Sequence, residues 1–315
     1  MASLRVSICF GLIACLIMLA TPRMGLAQPS TSSDGGAALD PASVGSNTAL
    51  VGPWEFTVDG RIGVPTGRLK VGEFPPGGGG GIPGTLLRLH TLGIDVSGAL
   101  EAGAAFHFTP RDAVRASYLY YFLRGSTTLD GPSIVYNGQE FARGALDSNA
   151  DFYRIGLAYE RTLLSWPSGE QLIGSVGVTY VNLNPTLTGT APPLPGSSGP
   201  AHARNSEDFY RQELPVPILG LRWDHPFDRH WLLRTAVSGG GLPRVDSLRQ
   251  EGGTVYLEQS HADTSIGLVY IFGPHAQLEA GYHFTYFFQR EKSHEDINVF
   301  ELIDNGARVR FTLRF

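Results

Sequence analysis

From Trp54 to Phe315, apolar side chains recur at every second position, in segments too long for an ordinary soluble sheet. A period of two belongs to extended backbone, whose side chains point alternately to opposite faces. Strands of soluble domains mostly run to about 5 or 6 residues. Several segments here hold the alternation for roughly 11 or more, the length a tilted strand needs to cross hydrocarbon. In the first, Trp54, Phe56, Val58, Ile62 and Val64 share one face, and Glu55, Thr57, Asp59 and Arg61 share the other. The same reading predicts strands over 88–108, 113–124, 151–163, 171–183, 207–223, 231–241, 256–272, 276–289 and 300–315. Pro215 and Pro217 in the sixth suggest a bulge, because proline cannot donate to a ladder. Gly239-Gly240-Gly241 weakens the far half of the seventh.

The connections alternate as well. Those after the second, fourth, sixth and eighth strands are short, as in Thr109-Pro110-Arg111-Asp112 and Gly273-Pro274-His275. The others are longer and rich in Gly, Pro, Ser or charge, among them the Gly77 to Gly81 run and the stretch from Pro192 to Pro200. No Gly-Lys-Ser/Thr follows the glycine run, so it reads as a flexible segment and not a phosphate loop. Aromatic residues gather near strand ends, including Trp54, Phe106, Tyr118, Tyr180, Trp231 and Phe272. Unpaired backbone groups in lipid cost several kcal/mol each, so a spanning sheet must close on itself. The expected fold is therefore all-β: a closed antiparallel transmembrane β-barrel of about ten strands, with eight or twelve as alternatives. Short turns would face the periplasm and long loops the exterior. Charged residues are only 17 % of the chain, but a mildly polar soluble protein and a barrel with a polar interior share such a composition, so the patterning decides.

Residues 1–27 read as a secretory signal peptide. Arg5 supplies the positive start, Val6 to Ala20 carries no charge, and Gly25-Leu26-Ala27 offers a small-residue cleavage site. Leu12-Ile13-Ala14-Cys15 resembles a lipoprotein box, but the apolar run continues beyond it. Both cysteines, Cys9 and Cys15, lie in this segment, so cleavage after Ala27 leaves no thiol or disulfide chemistry. Residues 28–52 read as a flexible periplasmic lead-in, and 53–315 as the barrel. The net charge of −5 suggests no nucleic-acid partner.

The last strand, Arg308-Val309-Arg310-Phe311-Thr312-Leu313-Arg314-Phe315, resembles the C-terminal strand of bacterial outer-membrane proteins. The resemblance implies that Phe311, Leu313 and Phe315 form the signal read by the barrel-insertion machinery. It also implies residence in the outer membrane and lipid as the main partner; the oligomeric state is open, with a monomer as the expectation. By strand count the chain looks like the size class of outer membrane protein A, the opacity-type adhesins and the omptin proteases.

The positions opposite the apolar stripe would line the interior: Glu55, Asp59, Arg61, Asp95, Glu101, Arg115, Arg154, Glu160, Arg222, Asp224, Arg234, Glu279, Arg308, Arg310 and Arg314. Acids and arginines are nearly balanced, so they can meet as ion pairs that fill a narrow lumen, or line a thin aqueous pore. The expected role is non-catalytic: a surface structure or limited passage of small solutes, with a narrow porin-like channel as the alternative. A second alternative is a hydrolase at the rim, omptin-like or lipid-modifying, using His261 and Asp263, which share a face near the outer end of the eighth strand. His283 is expected near Glu279 in a structural hydrogen bond. His294-Glu295-Asp296 with Glu291 reads as a solvated charge run. No cofactor or metal is expected.

Overall fold

A computed structural model describes residues 52–73, 84–192, 201–206, 215–250, 254–293 and 297–315. The expected signal peptide with both cysteines, most of the lead-in, the Gly77 to Gly81 run, the stretch from 193 to 200, the start of the sixth strand and His294 to Asp296 lie outside these residues.

The elements in chain order are β1 (Trp54–Gly63), β2 (Thr66–Lys70), β3 (Leu87–Arg88), β4 (Ser97–His107), β5 (Asp112–Phe122), β6 (Arg124–Leu129), β7 (Ile134–Tyr136), β8 (Gln139–Phe141) and β9 (Gly144–Asn149). They continue with β10 (Phe152–Ser165), β11 (Gln171–Leu183), β12 (Thr186–Ala191), β13 (Ala201–Ser206), β14 (Val216–Pro226), β15 (Trp231–Gln250), β16 (Thr254–Gly273), β17 (Ala276–Lys292) and β18 (Ile297–Arg314). Ten of them close a barrel in the order β1-β4-β5-β10-β11-β14-β15-β16-β17-β18, with β18 returning to β1. Every pairing around the ring is antiparallel. The seam runs from Glu55 opposite Arg314 to Gly63 opposite Gly306. Reciprocal bonds of 2.9 Å between Trp54 and Phe315 finish it at the turn end.

The outward face is apolar. On β17 its parity reads Leu278, Ala280, Tyr282, Phe284, Tyr286 and Phe288 before it turns to Arg290 and Lys292. At ~3.4 Å per residue and a tilt of about 40°, that run is roughly 26 Å tall, close to the ~25 Å band of outer-membrane barrels. Asn305 interrupts the outward parity of β18, and the Tyr282 hydroxyl donates to its Oδ1 at 2.9 Å. Aromatic rings edge the band. Trp54 packs on Phe106 and Trp231 on Tyr270 near the turn end, and Tyr118, Tyr153 and Tyr180 form a row farther out.

Above the barrel the wall is prolonged. The β5–β10 register continues into β6–β9 without a slip, and the β10–β11 register continues into β9–β12. With β13 these form a second, four-stranded sheet in the order β13-β12-β9-β6. Asp151 anchors the joint: it accepts from the Leu123 amide at 2.7 Å, from Arg124 Nε and Nη2 at 2.8 and 2.6 Å, and from the Tyr120 hydroxyl at 3.2 Å. The outer connections expected as loops after the third and fifth strands are therefore partly sheet.

Three further expectations are corrected. The second predicted strand begins only at Ser97, because Leu89–Leu92 forms a 3-10 turn closed by Gly93 in the left-handed region, at φ 73°. That turn buries Leu89 and Leu92, whose spacing of three suits a helix. The seventh strand does not fade at its glycines: β15 runs on to Gln250, with irregular register after Leu242. At Gly240 a Cβ would stand 1.9 Å from the Pro217 carbonyl oxygen, so the glycine permits close strand approach. Pro217 causes no bulge. The register with β11 passes through it, and pairing with β15 begins only at Ile218.

Candidate functional site

Inward positions on the ten strands divide into two zones. Toward the turn end they are charged. Three arginines converge on Asp59: Arg308 Nε at 2.6 Å and Arg310 Nε at 3.0 Å on one oxygen, Arg61 Nε at 3.2 Å on the other. Arg61 also meets Glu101. Arg61 and Arg308 lie directly opposite each other across the seam, so Asp59 separates like charges that would otherwise repel. Arg234 grips Asp224 with two bonds of 2.9 Å and reaches Glu279 at 3.3 Å. Arg115 joins Glu160 at 2.7 Å and Glu55 at 2.6 Å, and His107 lies 3.3 Å from Glu55. Arg154 reaches from β10 to Asp263 on β16 at 2.7 Å, and the Thr285 hydroxyl donates to the other Asp263 oxygen at 2.8 Å. Such charges are tolerated in a narrow interior because each acid is met by hydrogen-bonding guanidinium groups.

Of the fifteen residues expected inside, twelve fall into three bonded groups: Asp59, Arg61, Glu101, Asp224, Arg234, Glu279, Arg308 and Arg310 in one chain of contacts, Glu55 and Glu160 on Arg115, and Arg154 on Asp263. Arg222 sits looser, 3.6 Å from Glu160 and 3.7 Å from Asp224. Arg314 lies at the turn end, where its Nε donates to the Gly52 carbonyl. Asp95 does not belong: it is exposed and precedes β4, because the chain leaves strand geometry between Leu92 and Ser97.

His261 and Asp263 are not at the rim. Both face inward on β16, and His261 is 3 % exposed. Its Nε2 lies 2.7 Å from Gln259 and its ring packs on Phe287, while Asp263 is held by Arg154 and Thr285. β16 extends beyond them to Thr254, which moves the pair away from the strand end. His283 approaches Asp304 at 3.2 Å, not Glu279, and Ser97 donates to the same carboxylate at 2.6 Å.

Farther out the inward side chains of β5, β10 and β11, with Phe287, Phe300 and Leu302, are apolar, while Gln259, His261, Gln289, Glu291 and Asn298 keep the outer ends of β16, β17 and β18 polar and buried. Tyr121 stacks on Phe152 with ring centres 4.8 Å apart, Phe152 on Phe287 at 5.3 Å, and Phe287 meets Phe300 at 5.8 Å. Phe152 is on β10 and Phe287 on β17, five places apart around a ring of ten, so the contact crosses the full width of the lumen. Leu119, Leu123, Val181, Leu183 and Leu302 surround this septum. The 3-10 turn and Ile94 after it, the β7–β8 hairpin and the second sheet cover it with Leu89, Leu92, Ile94, Phe141, Leu146 and Leu187. The septum is absent from the sequence reading. Its signal is present as inward-parity apolar residues at the outer ends of β5, β10, β11, β17 and β18, where the rest of each strand alternates with polar groups.

A closed antiparallel sheet with a greasy exterior, a charged interior and short turns at one end defines a transmembrane β-barrel of the outer-membrane type. Phe311 and Phe315 point outward on its last strand and Leu313 shares their parity. No protein-family model matches the chain, and no curated protein does. Among solved structures it is similar to the outer membrane protease OmpT from Escherichia coli, with 13 % identity, 82 % of this chain and 97 % of that one covered, and a TM-score of 0.44. It is also similar to the translocator domain of the autotransporter NalP from Neisseria meningitidis, with 13 % identity, coverage of 84 % and 89 %, and a TM-score of 0.39. The toluene transporter TbuX of Ralstonia pickettii gives 15 % identity, coverage of 89 % and 96 %, and a TM-score of 0.36.

Proposed function

We propose that this chain is a non-catalytic surface barrel of the outer membrane, shut to solutes, which displays an ordered platform on its outer end. One observation carries the reading: the aromatic septum through Tyr121, Phe152, Phe287 and Phe300 bridges opposite walls and is covered by the second sheet. Water and ions passing between these rings would lose hydration there. The ion pairs beneath it favour a filled lumen over a wide conduit. Both features support a closed barrel over the porin-like alternative. The engagement of Asp263 by Arg154 and Thr285 argues against a water-activating His-Asp pair, and with it against the hydrolase. Export by the N-terminal signal, reading of Phe311, Leu313 and Phe315 by the insertion machinery, and a monomeric state complete the proposal.

The test is conductance in planar bilayers. The wild type is expected to give no stable unitary current. Phe152→Ala with Phe287→Ala, which removes both rings of the bridging contact, is expected to give one. A large stable current from the wild type would overturn the proposal.

A further inference from the structure

Beneath the septum lies a cavity of about 210 Å³. Three acids line it, Glu101, Glu160 and Asp263, bonded to Arg61, Arg115 and Arg154, of which Arg61 is shared with Asp59 and Arg115 with Glu55. Three more arginines line the same space: Arg222, Arg308 and Arg310. Arg308 is committed to Asp59 at 2.6 Å and lies 3.6 Å from Glu279. The other two are under-compensated. Among the described residues, the Arg310 side chain makes one hydrogen bond, to an Asp59 oxygen it shares with Arg308. Arg222 stays 3.6 Å or more from its nearest carboxylates, Glu160 and Asp224, and its Nε is buried with no hydrogen-bond partner among the described residues. The lumen as a whole is nearly neutral, but among the residues lining this space arginines outnumber acids, and Arg222 and Arg310 carry the least compensation.

We propose that the cavity is a binding site for one small oxyanion, a phosphate or carboxylate group, held by Arg222 and Arg310. A buried guanidinium with unused donors is costly, and an oxyanion supplies acceptors matched to its planar fork. Ser117, Ser175 and Ser238 line the same space and add hydroxyl donors. Glycine keeps the room open: a Cβ at Gly220 would stand 2.5 Å from Ser175 Oγ, and one at Gly103 would stand 2.6 Å from Thr57 Oγ1.

Access is one-sided. The septum closes the outer end. Toward the turns, a second cavity of about 130 Å³ shares Glu160, Ile173 and Arg222 with the first and reaches Pro110, Arg111 and Gly169 of two short turns. Arg222 thus stands at the boundary of both spaces, and the anion enters from the periplasmic side. The barrel becomes an inward-facing receptor and not a conduit, a role the closed-barrel reading does not require.

Inorganic phosphate is titrated into the folded, full-length mature barrel in zwitterionic detergent and followed by calorimetry. The wild type should take up one phosphate per chain, with succinate competing. Arg222→Gln with Arg310→Gln should weaken binding at least tenfold. Arg244→Gln, which alters an arginine stacked on Tyr256 outside the cavity, should leave it unchanged. A second measurement needs no variant: phosphate should slow phenylglyoxal modification of Arg222 and Arg310 in the wild type, and leave Arg244 unprotected. Absence of saturable uptake by the folded wild type, binding by the double variant equal to wild type, or equal modification rates with and without phosphate would each overturn the proposal.

Discussion

Asp59→Asn removes the single carboxylate that three arginines share. Asp59 is 1 % exposed and accepts from Arg308, Arg310 and Arg61 at 2.6, 3.0 and 3.2 Å. Deleting one partner of a buried ion pair costs ~3–5 kcal/mol, because the remaining charge is left uncompensated. Asparagine keeps one carbonyl acceptor of similar shape, which recovers on the order of 1 kcal/mol. The expected loss is therefore roughly 2–4 kcal/mol, a factor of about 30 to 1,000 in the folding equilibrium. Reversible urea unfolding in lipid vesicles, followed by tryptophan fluorescence, measures it. The signature is in the double variant. Arg310→Gln removes part of the excess positive charge that Asp59→Asn creates, so the two losses should fall short of adding by ~1 kcal/mol or more. Asp95→Asn, at an exposed acid outside the network, should leave the midpoint in place. A loss at Asp59 below ~0.5 kcal/mol, within the range of ordinary surface changes, would refute the idea that this carboxylate organises the seam.

Asp151→Ala cuts four bonds at the joint between the barrel and the second sheet. It should speed proteolysis within 124–149 severalfold while leaving heat-modifiable gel mobility unchanged; resistance equal to wild type would remove the joint from the account. Gly306→Ala would place a Cβ 2.0 Å from the Ile62 carbonyl oxygen on the closing seam, so it should cut the yield of folded barrel sharply. Gly60→Ala meets nothing within 4 Å and should fold like wild type. Equal yields from the two would contradict the seam packing.

What could be read from the chain alone follows from which signals are local. The alternation of Trp54, Phe56 and Val58 with Glu55, Thr57 and Asp59 is fixed by extended geometry itself, so strand number, faces and the inward set emerged from it. Asp95 failed because Leu89 and Leu92 obey a helical spacing inside a segment that otherwise alternates. Partner choice was harder. Nothing near His261 in sequence reveals that Asp263 is taken by Arg154, more than one hundred residues away. The septum is harder still, since Phe152 and Phe287 meet only after ten strands have closed. The second sheet was hidden by its short polar strands, whose buried members, Leu146 and Leu187 among them, are spaced too sparsely to stand out.

The division of alternate side chains between lipid and interior can be measured on one strand. Nitroxide labels placed singly from Ala99 to Phe106 on β4, in vesicles, should report high oxygen accessibility at Leu100, Ala102, Ala104 and Phe106, and low values at Ala99, Glu101 and Ala105. Accessibility without a period of two, or uniform access to a water-soluble relaxant along the strand, would contradict the barrel as described.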